Sequence, residues 1–237
     1  PKSFHMTSNI KITLKNVNFT IERKEFFKNL NLKFSSSGIS VILGPNGSGK
    51  TLLLNLIMGL IKPRVGEINF VGKGKNTTKS FVSQKITLLR RNVRDNLSFP
   101  LKIQGFEDDF IKEKVEYFLK KFDITDLALK SARKLSSGKK QYISIIRSFT
   151  LDSKILILDE PCANLDNIST QKIEDFLLTE GKKKKILVVT HDIFQAKRLA
   201  DEIIFLNQGK VVAHKSKKDF FSSQSRLIRK FSRGYLI

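Results

Sequence analysis

The octapeptide GPNGSGKT at residues 44–51 constrains the fold of this chain more than any other stretch. It follows the short apolar run ISVIL and leads directly into TLLLNLIMGL, which has the composition of a helix. This is the pattern Gly-x-x-x-x-Gly-Lys-Ser/Thr in the strand–loop–helix context that gives it meaning. Its glycines let successive backbone N–H groups face one phosphate cluster at the positive end of a helix. The predicted phosphate-binding residues are Gly44, Pro45, Asn46, Gly47, Ser48, Gly49, Lys50 and Thr51.

The pattern of apolar residues predicts an α/β fold around this loop. Residues 10–34 alternate apolar and polar positions, which is typical of antiparallel strands with one solvated face. From residue 39 onward, short continuous apolar runs indicate strands that are buried on both faces of a parallel sheet. Helices between these runs are predicted at 50–59, 108–121, 139–150, 168–179 and 192–199, and a closing hairpin at 202–214.

One stretch interrupts the alternation of strands and helices. Residues 84–131 carry QKITLLRRNVRDNLSFPLKIQG and a helical segment, which predicts a helical insertion between two halves of the sheet. We therefore expect a single domain over residues 10–237, with a helical subdomain at about 85–150. Residues 1–9 are expected to be an N-terminal extension or a cloning remnant. The end RLIRKFSRGYLI fits either a docked helix or a frayed tail.

The charge balance narrows the choice of partners. The chain has 44 Lys and Arg against 22 Asp and Glu, a net charge of +22. Such an excess favours a polyanionic neighbour, either nucleic acid or an anionic membrane face, but a lysine-rich composition without a particular partner gives the same balance. The run Lys182–Lys185 illustrates the second case, because it is predicted to be a solvated loop. The single Cys162 excludes an intrachain disulfide and favours a reducing compartment.

Two carboxylates, Asp159 and Glu160, end the buried run ILIL. Unpaired charges at the edge of a core are costly, and a Mg²⁺ ion with an attacking water would account for both. We predict that Asp159 and the Thr51 hydroxyl hold Mg²⁺, and that Glu160 polarises the water as general base. Lys50 is expected to reach the β- and γ-phosphates of the nucleotide.

Gln84 and His191 follow two further predicted strands. Parallel strands present their ligand-facing ends at the carboxyl edge of the sheet. A lone histidine is more often structural, but the position of His191 directly after ILVVT favours a contact with the γ-phosphate. Gln84 is predicted to reach the Mg²⁺ or the water and to report the nucleotide state to the segment that follows it.

In this order, GPNGSGKT, Gln84, LSSGKKQ, ILILDEP, ANLD and His191 resemble the ATPase domain of ABC transporters. The resemblance covers residues 10–214. It implies ATP and Mg²⁺ as cofactors and a P-loop NTPase core with a mostly parallel sheet, an antiparallel β subdomain and an inserted helical subdomain. It also implies that two copies sandwich two ATP molecules. Ser136 and the backbone of Gly138 would then contact the γ-phosphate held by the other copy, and Asp166 of ANLD joins the nucleotide-binding set.

Two departures from the family pattern affect the nucleotide sites. LSSGK stands where LSGGQ is usual, so Ser137 and Lys139 replace a glycine and a glutamine. Ile21 falls where the family places an aromatic residue that stacks on adenine. Either apolar contact with Ile21 replaces stacking, or Phe26 or Phe27 substitutes for the missing ring. We therefore predict weaker recognition of the base.

The resemblance also separates the possible partners. Family members linked to nucleic acid insert a long coiled coil, and the 86 residues from Lys50 to Ser136 show no sustained heptad pattern. A separate ATPase subunit is therefore implied, peripheral on the cytoplasmic face of the cell membrane and docked on a permease. A substrate-binding protein would be an indirect partner, and no direct nucleic-acid contact is expected. The stretch SQKITLLRRNVRDNLSFPLKIQG is most similar to tungstate- and molybdate-type oxyanion importers. A soluble ATPase linked to nucleic acid and an exporter subunit stay open as alternatives.

Overall fold

The structure is a computed structural model that describes residues 10–22, 24–72 and 78–232. The predicted N-terminal extension and the last residues of the basic C-terminal end lie outside the described residues. In chain order the strands are β1 (Ile10–Ile21), β2 (Lys24–Lys33), β3 (Gly38–Leu43), β4 (Val65–Gly72), β5 (Lys79–Val82), β6 (Ile155–Asp159), β7 (Lys185–Thr190), β8 (Glu202–Asn207) and β9 (Lys210–Ser216). The helices are α1 (Lys50–Met58), α2 (Val93–Ile103), α3 (Asp108–Lys121), α4 (Ser137–Thr150), α5 (Asn167–Gly181), α6 (Ile193–Leu199), α7 (Lys217–Phe221) and α8 (Arg226–Ser232).

Two sheets form from these strands. The smaller is antiparallel in the order β2-β1-β4, and the larger has the order β5-β6-β7-β3-β8-β9. In the larger sheet every pairing is parallel except the hairpin β8–β9. The predicted α/β class, with a mostly parallel core sheet and a separate antiparallel sheet, is confirmed. The strand β4 and the helix α2 were not predicted individually.

The apolar runs are buried on both faces of the larger sheet, as their composition predicts. Within β3, Val41 and Leu43 belong to one apolar cluster, whereas Ile42 between them belongs to a second. The first cluster contains side chains of α2 to α6, and the second contains those of α1 and of the antiparallel sheet. The central strands are therefore held between two layers of apolar side chains.

An aromatic cluster fastens the helical insertion to the core. The rings of Phe149 on α4 and Phe176 on α5 stack with centroids 4.3 Å apart, and Phe122 at the end of α3 contacts both. The insertion runs from α2 to α4, and these rings pack it against α5. The boundaries predicted for the helical subdomain stay a prediction.

One prediction about charge is wrong. Lys182 and Lys183 are exposed, but Lys185 at the start of β7 is fully buried. Its ammonium group donates hydrogen bonds to the hydroxyls of Ser35 and Ser40 and pairs with Glu202. The run of four lysines therefore ends inside the protein, where side chains from distant parts of the sequence provide partners for the buried charge.

The parallel sheet determines where the predicted site residues meet. The strands β3, β5, β6 and β7 end on the same edge, and the phosphate-binding loop, Gln84, Glu160 and His191 follow them. The C-terminal end is a docked helix as far as it is described, because Ile228 of α8 is buried in the first apolar cluster. In the described part of the chain, no helix combines the length and the apolar character needed to cross a bilayer.

Candidate active site

The phosphate-binding loop joins the end of β3 to α1 with a backbone that requires glycine at several positions. Gly47 and Gly49 have φ values of 77° and 101°, in the left-handed region that glycine adopts without strain. A side chain at Gly44 would collide with the backbone carbonyl of Leu206. The loop therefore keeps its amides accessible at the N-terminus of α1, where the helix dipole favours an anion.

Lys50 folds back across this loop. Its Nζ donates to the carbonyl oxygens of Gly44 and Pro45 at 2.8 and 3.0 Å. Burial lowers the pKa of Lys50, and the charges of Glu160 and Asp159 offset part of this effect. An ammonium that is already desolvated in this way gains strongly from the negative charge of a phosphate.

Thr51 and Asp159 form a pair that suits a divalent cation. The Thr51 hydroxyl donates to Oδ2 of Asp159 at 2.8 Å, while Oδ1 of the same carboxylate is buried without a hydrogen-bond partner among the described residues. Burial raises the pKa of Asp159, and the nearby Glu160 adds to the effect, while the Thr51 hydrogen bond and Lys50 oppose it. Mg²⁺ is typically bound by one or two protein oxygens together with substrate phosphates and waters. The unpartnered oxygen beside a hydroxyl fits this donor set.

Glu160 follows Asp159 directly, but its backbone has left the extended conformation of the strand. Its backbone has a φ of 48°, which is unusual for a residue with a side chain. Oε1 of its carboxylate lies 2.8 Å from Nδ1 of His191, so the structure brings these two predicted residues together. Because a carboxylate oxygen accepts, Nδ1 carries the proton of this hydrogen bond.

A cleft of about 350 Å³ opens beside the loop. Gln84 and Glu160 line it together with Asn46, Lys50 and Thr51. The apolar side chains that line the cleft belong to Ile21, Phe26 and Leu52.

The cleft also distinguishes the candidates for base contact. Ile21 is 42% exposed and Phe26 is half-buried, with its ring against the backbone of Gly49. Phe27 is fully buried and packs edge-on against Phe26, so it is not available to a base. Of the two phenylalanines considered from the sequence, only Phe26 lies in a position to substitute for the missing aromatic residue.

The LSSGK segment forms the start of α4, outside this cleft. Ser136 is the N-cap, and its hydroxyl accepts from the backbone N–H of Lys139 at 3.4 Å. The Cβ of any larger residue at Gly138 would lie 2.7 Å from the carbonyl oxygen of Asn164, whereas Ser137 is exposed. This difference explains why a side chain is accommodated at Ser137 but the next position requires glycine. Neither Ser136 nor Gly138 lines the cleft of its own chain.

Asp166 caps α5. Its two carboxylate oxygens accept from the backbone N–H and the hydroxyl of Ser169 at 2.8 and 3.0 Å. These hydrogen bonds hold the pKa of Asp166 below its usual range. The predicted role of Asp166 in nucleotide binding stays a prediction, while its carboxylate serves the helix in this structure.

The sequence interpretation did not single out Gln141. This side chain is 1% exposed, and its Nε2 donates to the carbonyl oxygen of Pro161 at 3.1 Å. The spacing with Ile145 and Phe149 places Gln141 on the buried stripe of α4. That periodicity is the signal by which its burial could have been predicted.

A phosphate-binding loop, a hydroxyl–carboxylate pair and a second carboxylate at the carboxyl edge of a parallel sheet define a P-loop nucleotide hydrolase. Residues 27–163 match the family described as ABC transporter. A tungstate uptake system ATP-binding protein, TupC of Peptoclostridium acidaminophilum, is 37% identical over 185 residues, covering 76% of this chain and 86% of that protein. The taurine import ATP-binding protein TauB of Escherichia coli (strain K12) is 34% identical over 192 residues, covering 78% and 75%.

Solved structures agree with these relatives. The cbiO1 protein from Clostridium perfringens, part of the ABC transporter complex cbiONQ, matches with a TM-score of 0.77 and 27% identity over 92% of this chain and 93% of that chain. A dimeric ATP-binding cassette in a post-hydrolysis state with ADP and Pi matches with a TM-score of 0.76 and 26% identity, over 87% and 98%. The chain therefore belongs to the ABC transporter family, as one of its ATP-hydrolysing subunits.

Proposed function

We propose that this chain drives solute import through a separate membrane permease, by closing with a second copy of itself around two ATP molecules. The observation that carries the proposal is the placement of Lys50, Thr51, Asp159 and Glu160 on one edge of the sheet, in a chain similar to import subunits. The similarity to TupC supports an oxyanion such as tungstate as the solute. The lack of direct nucleic-acid contact is part of the same proposal.

The residues of the cleft divide the work of hydrolysis. The loop amides and Lys50 bind the β- and γ-phosphates, and Ile21 and Phe26 contact the base. Thr51 and Asp159, with Gln84 nearby, would hold Mg²⁺, which when bound neutralises charge that develops on the phosphates. Glu160 accepts a proton from the water that attacks the γ-phosphorus in line, and the bond to the bridging oxygen of ADP breaks.

His191 supports Glu160 and would contact the γ-phosphate. Its Nδ1–H donates to the carboxylate that acts as base, which fixes the direction of that carboxylate. Because Nδ1 faces Glu160, a contact with the γ-phosphate would use Nε2, the other ring nitrogen.

The second copy completes the site in this proposal. Ser136 lies exposed at the N-terminus of α4, outside the cleft of its own chain. A helix N-terminus with a serine cap is a suitable donor to a γ-phosphate. Asp166, at the adjacent loop, is assigned to the same composite site.

The substitution Glu160→Gln tests the base and the dimer together. ATP binding should persist, turnover should fall by about 10² to 10⁴, and an ATP-dependent dimer should appear in gel filtration. Adding Ser136→Arg should remove the dimer peak without weakening ATP binding by the monomer, because the bulky cation blocks the helix N-terminus. Wild-type turnover in Glu160→Gln, or a dimer peak that survives Ser136→Arg, would contradict the assignment.

The kind of partner can be identified by measuring which added component changes the rate of ATP hydrolysis. We expect stimulation by a permease reconstituted in lipid, and none by DNA or RNA at physiological salt. Stimulation by nucleic acid alone would instead support a soluble ATPase linked to nucleic acid. The genes that neighbour the coding sequence, tested as candidate permeases, provide the most direct choice of partner and solute.

A further inference from the structure

The first two turns of α4 are joined to the loop after Glu160 by two contacts within one chain. Gln141 is 1% exposed, and its Nε2 donates to the carbonyl oxygen of Pro161 at 3.1 Å. Its Oε1 is buried without a hydrogen-bond partner in the part of the chain that the structure describes. A buried amide that leaves its acceptor unpaired is costly, so the bond to Pro161 is the polar contact that justifies a glutamine here.

The second contact lies one turn earlier on the same helix. At Gly138 the backbone of α4 comes so close to Asn164 that a Cβ would lie 2.7 Å from its carbonyl oxygen. The two contacts, at Gly138 and Gln141, therefore hold both ends of the segment from Pro161 to Asn164 against the helix. This segment and the helix N-terminus must move together or lose both contacts.

Pro161 is directly bonded to Glu160, which connects this junction to the chemistry. Glu160 has a φ of 48°, its N–H donates to the carbonyl oxygen of Val189 at 2.9 Å, and its carboxylate contacts His191. A left-handed backbone at a residue with a side chain persists only where the surroundings hold it. The hydrogen bond from Gln141 is one such restraint, because it fixes the carbonyl of the next residue.

We propose that Gln141 is a positioning residue for hydrolysis: through Pro161 it couples the orientation of the α4 N-terminus to the placement of the Glu160 carboxylate. Ser136 is at the start of the same helical turn, so an ATP held by the second copy acts on the base of this copy along the path Ser136, Gln141, Pro161 and Glu160. The inference rests on the proposed function, because it requires a dimer in which Ser136 meets the partner's nucleotide.

The substitution Gln141→Leu tests this by removing the hydrogen bond with a side chain of similar size. The matched control is Tyr142→Phe, because Tyr142 is also buried on α4 and its hydroxyl donates to the carbonyl oxygen of Phe122 at 3.2 Å, away from the segment from Pro161 to Asn164. Both variants lose one buried side-chain hydrogen bond to a backbone carbonyl, so both should lower the urea midpoint of unfolding to a similar extent.

Only Gln141→Leu should lower kcat, by about 10- to 100-fold, since small displacements of a catalytic group have effects of this size. ATP affinity of the monomer and KM should stay within about twofold of wild type. The ATP-dependent dimer in the Glu160→Gln background should persist. If Gln141→Leu fails to fold, Gln141→Met removes the same donor with an unbranched, more adaptable side chain.

Three results would overturn the inference. The first is a kcat for Gln141→Leu within twofold of that of Tyr142→Phe, which would make the role of Gln141 purely structural. The second is loss of the dimer peak, which would place Gln141 in support of the interface and not of the base. The third is a wild-type chain that neither dimerises with ATP nor hydrolyses it, which would overturn the proposed function itself whatever the Gln141 variants show.

Discussion

Asp159 and Glu160 are adjacent in the chain, yet their surroundings differ. Asp159 ends a strand, is buried, and accepts a hydrogen bond from the Thr51 hydroxyl. Glu160 turns out of the strand in a left-handed conformation and meets His191. Backbone direction alone therefore gives two neighbouring carboxylates different surroundings, which suits the separate roles that we propose for them.

Phe26 is the aromatic residue in the cleft that we expect to contact the base. The apolar side chains that line the cleft cannot form hydrogen bonds with the polar edge of a purine. We therefore expect ATP and GTP to bind with similar affinity. Phe26→Ala should weaken both by a similar factor of about 10, since stacking on an aromatic ring contributes about 1–3 kcal/mol. Equilibrium binding of both nucleotides measures this. Phe106→Ala, at an exposed ring outside the cleft, is the control, and a large preference for ATP would contradict the expectation.

The carboxylate of Glu202 should make the stability of the protein depend on pH. Burial pushes its pKa upward, but hydrogen bonds from His214 and Ser40 and the charge of Lys185 outweigh this and hold the pKa well below its usual range. A depressed pKa contributes stability above the unfolded value, about 4.3, and this contribution is lost as pH falls toward the folded value. The advantage of wild type over Glu202→Gln in free energy of unfolding should therefore shrink by about 2 kcal/mol between about pH 6 and pH 3.

Urea unfolding at several pH values measures this difference. Glu67→Gln is the matched control, because Glu67 pairs with Lys15 on the surface and both side chains are more than half exposed. Its difference from wild type should change little with pH, since exposed ion pairs contribute little. A gap between wild type and Glu202→Gln that is constant from neutral to acid pH would count against the buried network.

At the scale of elements, the start of α4 has opposite requirements at two adjacent positions. Alanine ordinarily favours a helix over glycine by about 1 kcal/mol. Gly138→Ala should nevertheless lower stability by about 1–3 kcal/mol, because its Cβ would press on the Asn164 carbonyl. Ser137→Ala should stay within about 0.5 kcal/mol of wild type, because Ser137 is exposed. The denaturant midpoints of the two variants test this difference. If Gly138→Ala were as stable as Ser137→Ala, the contact at Gly138 would relax without cost.

At the scale of the whole molecule, the net charge of +22 predicts an affinity for anionic surfaces. Each Lys or Arg near an anionic leaflet contributes about 1 kcal/mol, and salt screens the attraction. The isolated subunit should sediment with vesicles that contain anionic lipid at low salt and be released at roughly 0.5 M salt. Vesicles of neutral lipid are the control. Equal binding to both kinds of vesicle, or none to either, would show that the charge has no such partner.

The sequence predicted the local parts of this molecule well, for a physical reason. Burial of a strand on both faces gives a continuous apolar run, and a phosphate-binding loop has a fixed spacing, so β3, β6, β7 and the loop at residues 44–51 could be recognised. The meeting of Gln84, Glu160 and His191 followed from the rule that parallel strands end on one edge. The helix α2 and the strand β4 were less predictable, since α2 contains Pro100, a residue that disfavours a helix interior, and β4 has no fully buried apolar run.

By itself, then, the sequence determined the α/β class, the loop, the order of the site residues and the family resemblance, because each is written in short patterns of neighbouring residues. Only the tertiary structure decided which of Phe26 and Phe27 faces the cleft, that Lys185 is buried, and that Gln141 meets Pro161. These contacts join residues far apart in the chain. Packing of whole elements against one another selects them, and no local pattern of residues records that packing.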